Sequence, residues 1–283
     1  MIGKTIFKCP NCSIALSQGQ KQYFCPNGHS FDIARQGYVN LLLPGHTGAG
    51  DPGDSKEMIT SRREFLDKGY YEGFSDKIND IAADALATGS KQGGISIFDA
   101  GCGEGYYICR LKKELAEHGR LKDTDIYGID VSKPAVQYAS GRDRDIRFAV
   151  ASNYHVPILS GSVDCILCIF APRDEQEFRR ILKQSGILLV AAPGPKHLYS
   201  LRKLLYEDPE FIGLKGTVGE GFTLLGQYSV SYDIGLISSQ DIINLFTMTP
   251  YIRHADTQAM DRLKSINEFT TEVDFFIRVY RKA

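Results

Sequence analysis

No run of apolar residues in this 283-residue sequence approaches the roughly 18 to 20 needed to cross a bilayer, which excludes a helical membrane span. The first residues, MIGKTIFKCPNCS, lack the long apolar stretch of a secretory signal, so the expected compartment is the cytoplasm. Charge of one sign is also lacking. The formal net charge is −1, which gives no global field for attracting a polyanion, so any nucleic-acid partner would depend on locally concentrated positive charge. Seven cysteines, an odd number unevenly placed, do not suggest a disulfide framework. There is no internal repeat and no low-complexity tail.

What is present is an ordinary globular composition, 43% hydrophobic and 24% charged, long enough for one large domain and a small module. Residues 1–44 are rich in Cys, aromatics and turn formers. Residues 45–92 read as a linker and helical connection. They open on the Gly/Pro-rich PGHTGAGDPGD (Pro44 to Asp54), continue in two helices, Ser55 to about Lys68 and about Phe74 to Leu86, and end in a glycine break at Gly93 and Gly94. Residues 93–283 form the main domain. From Ile95 short apolar runs alternate with helical patterns, the signature of a doubly wound α/β sheet. The expected strands are ISIFDA, DIYGID, IRFAVA, VDCILCIF and GILLVAA, with helices starting near Gly105, Pro134 and Arg173. After Pro193 the pattern is less regular, and EVDFFIRVYRK makes a final strand.

ISIFDA runs into GCGEG and then a helical segment, forming D-x-G-x-G-x-G over Asp99, Gly101, Gly103 and Gly105. Glycines at such a turn let a ligand approach the backbone closely. Two acids select the ligand: Asp99 ends the strand and Glu104 lies inside the turn. Carboxylates would repel a dinucleotide pyrophosphate, but they suit S-adenosylmethionine, which has no phosphate and carries sulfonium and ammonium cations. Asp130 ends the second strand, where a carboxylate accepts hydrogen bonds from ribose hydroxyls. Asn153, after the third strand, either contacts the adenine edge or caps a turn. The expected fold is a Rossmann-like class I S-adenosylmethionine-dependent methyltransferase domain with a small N-terminal zinc-binding domain.

The zinc expectation rests on Cys9-x2-Cys12 followed by Cys25-x3-His29. Two such knuckles supply four ligands to one tetrahedral ion and leave no open position, so the zinc is structural. The other C-x2-C pair, Cys165 and Cys168, lies in a strand, where residues three apart face opposite ways. Residues 1–40 carry Lys4, Lys8, Lys21 and Arg35 against Asp32, a net of +3; zinc on three thiolates lowers this to about +2.

Together these stretches resemble the bacterial 23S ribosomal RNA guanine-N1 methyltransferases. The resemblance lies in CPNCS…CPNGHSFDIARQGYVNLLL, DPGDSKEM…RR-FLDKGYY, DAGCGEGYY, GIDVSKPA, the FAP tripeptide and PGPKHL, and it is weakest in the last third. It implies a zinc head that helps recognise a 23S rRNA hairpin, with cofactor contacts at Tyr71, Glu104, Gly105 and His197. It also implies branches acting on neighbouring guanines, one of them linked to macrolide-type antibiotic resistance; a homodimer is a candidate assembly, and the sequence leaves the oligomeric state open. The acceptor base belongs at the carboxyl edge of the sheet, where Phe170, Pro172 and Arg173 follow the fourth strand: Phe170 for stacking, Arg173 for guanine O6 or phosphate. Asp51 and Asp54 either cap a helix or close over the site. A methyltransferase for a small molecule or protein is one alternative. An inactive zinc-dependent RNA-binding factor is the other, against which the intact glycine turn and Asp130 stand.

Overall fold

In the computed structural model, residues 3–43, 53–87, 94–119, 123–206, 209, 211, 217–254 and 257–283 are described. The N-terminal head is a four-stranded antiparallel sheet in sequence order, β1 (Gly3–Lys8), β2 (Ala15–Gln18), β3 (Gln22–Phe24) and β4 (Ser30–Asp32). The short β5 (Val39–Asn40) leaves the head and pairs in parallel with an edge of the main sheet. Two helices come next, α1 (Lys56–Asp67), capped by the Ser55 hydroxyl accepting from Met58 N at 3.2 Å, and α2 (Glu72–Ala87).

The apolar runs then build the main sheet: β6 (Ile95–Ala100), α3 (Tyr106–Glu117), β7 (Thr124–Asp130), α4 (Lys133–Arg142), β8 (Arg147–Val150), β9 (Val163–Ile169), α5 (Glu175–Ile181), β10 (Leu182–Pro193) and α6 (Tyr199–Leu205). The chain closes with β11 (Phe222–Leu236), α7 (Ser239–Thr247), α8 (Thr257–Lys264) and β12 (Phe269–Lys282). Spatial order is β11-β12-β10-β9-β6-β7-β8-β5, with β12 antiparallel to both neighbours. The expected strands and helices of the main domain are all present. The helices between β11 and β12 were not expected. The order reverses between β6 and β9, and a ligand crevice opens at the carboxyl ends of strands at such a point.

Side chains alternate across the sheet. Along β9, Cys165 and Leu167 enter one core while Ile166 and Cys168 enter the other, so this cysteine pair cannot chelate. Helices α1 to α4 and α7 pack on the first face. The second face is covered by α5 and by the head. The connection from β8 to β9 contains no helix, and head side chains fill that place. Phe7 meets Tyr23 edge-on at 5.6 Å and Tyr127 of β7 at 5.2 Å. The head therefore has no separate apolar core. Phe7, Leu16 and Tyr23 share one with Phe98, Tyr127 and Ile166, each large side chain contributing about 1.5 to 3 kcal/mol by leaving water. Among the described residues, no helix is long and apolar enough to cross a membrane.

Candidate functional site: a cofactor cavity and a metal centre

A cavity of about 950 Å³ opens at the carboxyl ends of β6, β7, β9 and β10. Its floor is the turn that follows β6. Gly101, Gly103 and Gly105 all have positive φ, 85°, 54° and 87°, a region that costs other L-residues energy. Glycine at 105 also allows close packing: a Cβ there would lie 3.0 Å from the Cα of Ala139. The amides of Gly101 and Cys102 both donate to the Ile129 carbonyl, at 2.9 and 2.8 Å, which ties the turn to the end of β7.

Asp130 follows directly. Its Oδ2 accepts from Gly103 N at 3.0 Å and its Oδ1 from Ser132 N at 2.8 Å. Burial raises its pKa, opposed by those two amides and by Arg62. Asp99 is fully enclosed, and burial, reinforced by the charge of Asp130, pushes its carboxyl up to about 8. Glu104 is also buried, but its Oε2 pairs with Arg142 and lies 4.0 Å from Arg63. Half of the carboxylate expected to serve the cofactor's positive charge is thus committed to the protein.

Tyr71, just before α2, and His197, after β10, meet at the far wall with centroids 6.2 Å apart, and Phe275 packs against both. The Asp274 amide donates to His197 Nδ1 at 3.3 Å, which places the ring proton on Nε2. Burial, then the charge of Arg202, lowers the pKa of His197 to about 3, so it is a neutral donor. Asn153 Nδ2 donates to the Pro172 carbonyl at 2.9 Å. Phe170 holds a left-handed backbone, φ 54°, and its half-exposed ring lies against Phe74 and Phe275 at 5.4 and 5.5 Å. Arg173 lines the cavity, but its Nη2 donates to the Thr217 carbonyl at 3.0 Å and its Nε to Glu175 at 3.3 Å.

Sequence reasoning missed Met58, Arg62 and Leu66, the cavity-lining side of α1, together with Met248 to Tyr251 after α7. The signal was in view, because DPGDS and the double arginine belong to the stretches that resemble the family. Ser55, not Asp54, caps α1. Asp54 instead closes over the site: its carbonyl accepts from Ser132 Oγ at 2.9 Å and its carboxylate pairs with Arg62 at 2.6 Å. Asp51 lies outside the described residues.

The cavity fits S-adenosylmethionine on its own chemistry. Tyr71 Oη, Glu104 Oε1 and Asn153 Oδ1 line it as buried polar atoms without a partner among the described residues, and Asp99 Oδ1, just before the turn, is a fourth. Such orphans are costly unless a ligand satisfies them. Asn153 Oδ1 and the Asp130 carboxylate are both hydrogen-bond acceptors on the cavity lining.

The second centre is in the head, where Cys9, Cys12, Cys25 and His29 place their ligand atoms within 4.8 Å of one another. Cys12 Sγ and Cys25 Sγ are 3.7 Å apart, and His29 Nδ1 lies 3.5 and 3.4 Å from the sulfurs of Cys9 and Cys25. Zinc bonds of ordinary length at the tetrahedral angle require about 3.8 Å between sulfurs and about 3.6 Å from sulfur to nitrogen. Gly28, φ 82°, makes the tight bend of the second knuckle, its amide donating to the Cys25 carbonyl at 3.0 Å.

A sheet of this order with an acidic glycine turn, joined to a four-ligand zinc ribbon, defines a zinc-bearing, S-adenosylmethionine-dependent methyltransferase of the Rossmann-like class. Known proteins agree. Residues 7–47 match the family description "RlmA, N-terminal" and residues 97–186 match "Methyltransferase domain". The "23S rRNA (guanine(748)-N(1))-methyltransferase" of Streptomyces fradiae is 31% identical over 95% of both chains. Proteins from Micromonospora griseorubida and Bacillus subtilis (strain 168), each named "Putative 23S rRNA (guanine-N(1)-)-methyltransferase", the latter with the suffix YxjB, are 33% and 30% identical. They align over 93% and 96% of this chain, and over 92% and 96% of their own lengths. The chain belongs to the family of 23S rRNA (guanine-N1)-methyltransferases.

Proposed function

We propose that this chain transfers the methyl group of S-adenosylmethionine to N1 of a guanine in a hairpin loop of 23S rRNA. The observation that carries this is end-to-end similarity, 31% identity over 95% of both chains, to a relative named for that reaction. When bound, the cofactor supplies an electrophilic methyl on a sulfonium. Transfer to nitrogen is an in-line displacement, for which positioning can provide most of the acceleration. Asp130 holds the ribose and Asn153 the adenine edge, and the glycine turn lets the cofactor approach the backbone closely. Phe170, half exposed on an aromatic bed, offers a face for the guanine, which must be presented from a loop or flipped in. His197 and Tyr71 act as hydrogen-bond donors, since burial keeps the imidazole neutral and the phenol protonated.

In this proposal residues 1–44 recognise the RNA, 45–92 connect, and 93–283 carry the chemistry. Phe7, Tyr23 and Tyr38 are buried, whereas Lys4, Lys21 and Arg35 are exposed. The head therefore engages phosphates by charge, which positions without reading sequence. The proposal includes a homodimer working in the cytoplasm, and light scattering tests the dimer. Mass mapping of 23S rRNA from cells with and without the gene tests the reaction. An unchanged guanine mass in the hairpin would sink it in favour of a small-molecule or protein acceptor. The same strains, compared for macrolide susceptibility, test the link to resistance.

A further inference from the structure

S-adenosylmethionine carries one anionic group, the carboxylate of its methionine portion, and none of the residues assigned above holds it. Asp99, Glu104 and Asp130 suit the cations and the ribose and would repel a carboxylate. Opposite the turn, α1 presents Met58, Arg62 and Leu66 to the cavity at helical spacing. Among the described residues, both polar contacts of Arg62 use Nη2: it donates to the Met248 carbonyl at 3.1 Å and pairs with Asp54 Oδ2 at 2.6 Å. Nη1 lies 3.8 Å from where a Cβ on Gly103 would stand. One edge of the guanidinium is therefore anchored, and the other is held over the bare backbone of the turn. A planar fork with five donors suits a carboxylate geometrically as well as electrically. Arg173, the other arginine on the wall, is bonded to Thr217 and Glu175.

We propose that Arg62 binds the carboxylate of the cofactor's methionine portion through its Nη1 edge, with Asp54 and the Met248 carbonyl fixing the plane of the guanidinium. A residue that only clipped α1 to its neighbours would need Nη2 alone. The proposal rests on S-adenosylmethionine as methyl donor and is independent of the RNA substrate.

The test is calorimetric binding of S-adenosylmethionine and of decarboxylated S-adenosylmethionine, which differ only in the carboxylate. Wild type should prefer the carboxylated form by about 10- to 100-fold, the worth of a charge-assisted bond. Arg62→Met should lose that preference by weakening S-adenosylmethionine while leaving the decarboxylated form within about twofold. Arg62→Lys, which keeps the charge and covers the case of a Met variant that does not fold, should retain only part of the preference. Asp54→Asn, which loosens the anchor, should lower it too. Equal weakening of both ligands in the Arg62 variants, or no preference in wild type, would overturn the proposal and leave Arg62 a structural clip. Failure of wild type to bind either ligand would overturn the cofactor assignment with it.

Discussion

A Cβ placed on Gly101 would stand 2.4 Å from the Cβ of Ala171, so the cofactor turn and the segment after β9 touch at a point where only glycine fits. Gly101 also sits at φ 85°. Gly101→Ala should combine overpacking with backbone strain, destabilise the fold by about 2 to 4 kcal/mol and abolish measurable cofactor binding. Adding Ala171→Gly removes the clash and should restore part of the stability, leaving about 1 to 2 kcal/mol of left-handed strain. Thermal unfolding and calorimetry decide this. Single and double variants of equal stability would show that the contact is not limiting.

Asp99 holds its proton to about pH 8 in the folded chain, against a normal value of 3.8. Between those values the folded state binds the extra proton, so this group's contribution to stability falls as pH rises from 3.8 to about 8 and is level above. A cationic cofactor favours the carboxylate instead. Binding S-adenosylmethionine at neutral pH should therefore release protons, seen as an enthalpy that depends on the buffer. Asp99→Asn should abolish the release; an undiminished release would assign it to another group.

His197 behaves in the opposite sense. Its folded pKa, about 3, lies below the ordinary 6.5, so its contribution is present above 6.5 and is lost as pH falls towards 3. Melting temperature should fall on acidification through this window in wild type, and less steeply in His197→Gln. Parallel curves would show that the acid sensitivity lies elsewhere.

Metal analysis should find one zinc per chain. Because head side chains complete the core against Tyr127 and Ile166, a strong chelator should lower the melting temperature of the whole protein. Deleting residues 1–44 should give an insoluble chain, since it uncovers an apolar sheet face. A soluble truncated protein with unchanged cofactor affinity would show that the sheet does not need the head.

Much of this was legible because the relevant signals are local. The glycine turn, Asp130 at the end of its strand and the two cysteine knuckles follow from spacing, and the apolar strand around Cys165 and Cys168 separates that pair from Cys9 and Cys12, which share its spacing. Asp54 and Arg62 stood in a conspicuous stretch, but no local rule says that a helix some forty residues before the turn will lie across it. The ion pair of Glu104 with Arg142 was hidden for the same reason. A carboxylate beside a glycine turn looks like a ligand for the cofactor until the tertiary fold brings an arginine to it.

The sequence alone determined the central strands of the sheet, the metal set and the kind of cofactor, because strand periodicity, ligand spacing and the charge of a turn are properties of neighbouring residues. Only the tertiary structure decided that the head is part of the main core, that α1 forms a wall of the cavity, and which charged groups remain available to a ligand. Those outcomes depend on pairs such as Phe7 with Tyr127 and Arg62 with Met248. They are distant in the chain and meet only when burying apolar surface brings their elements together.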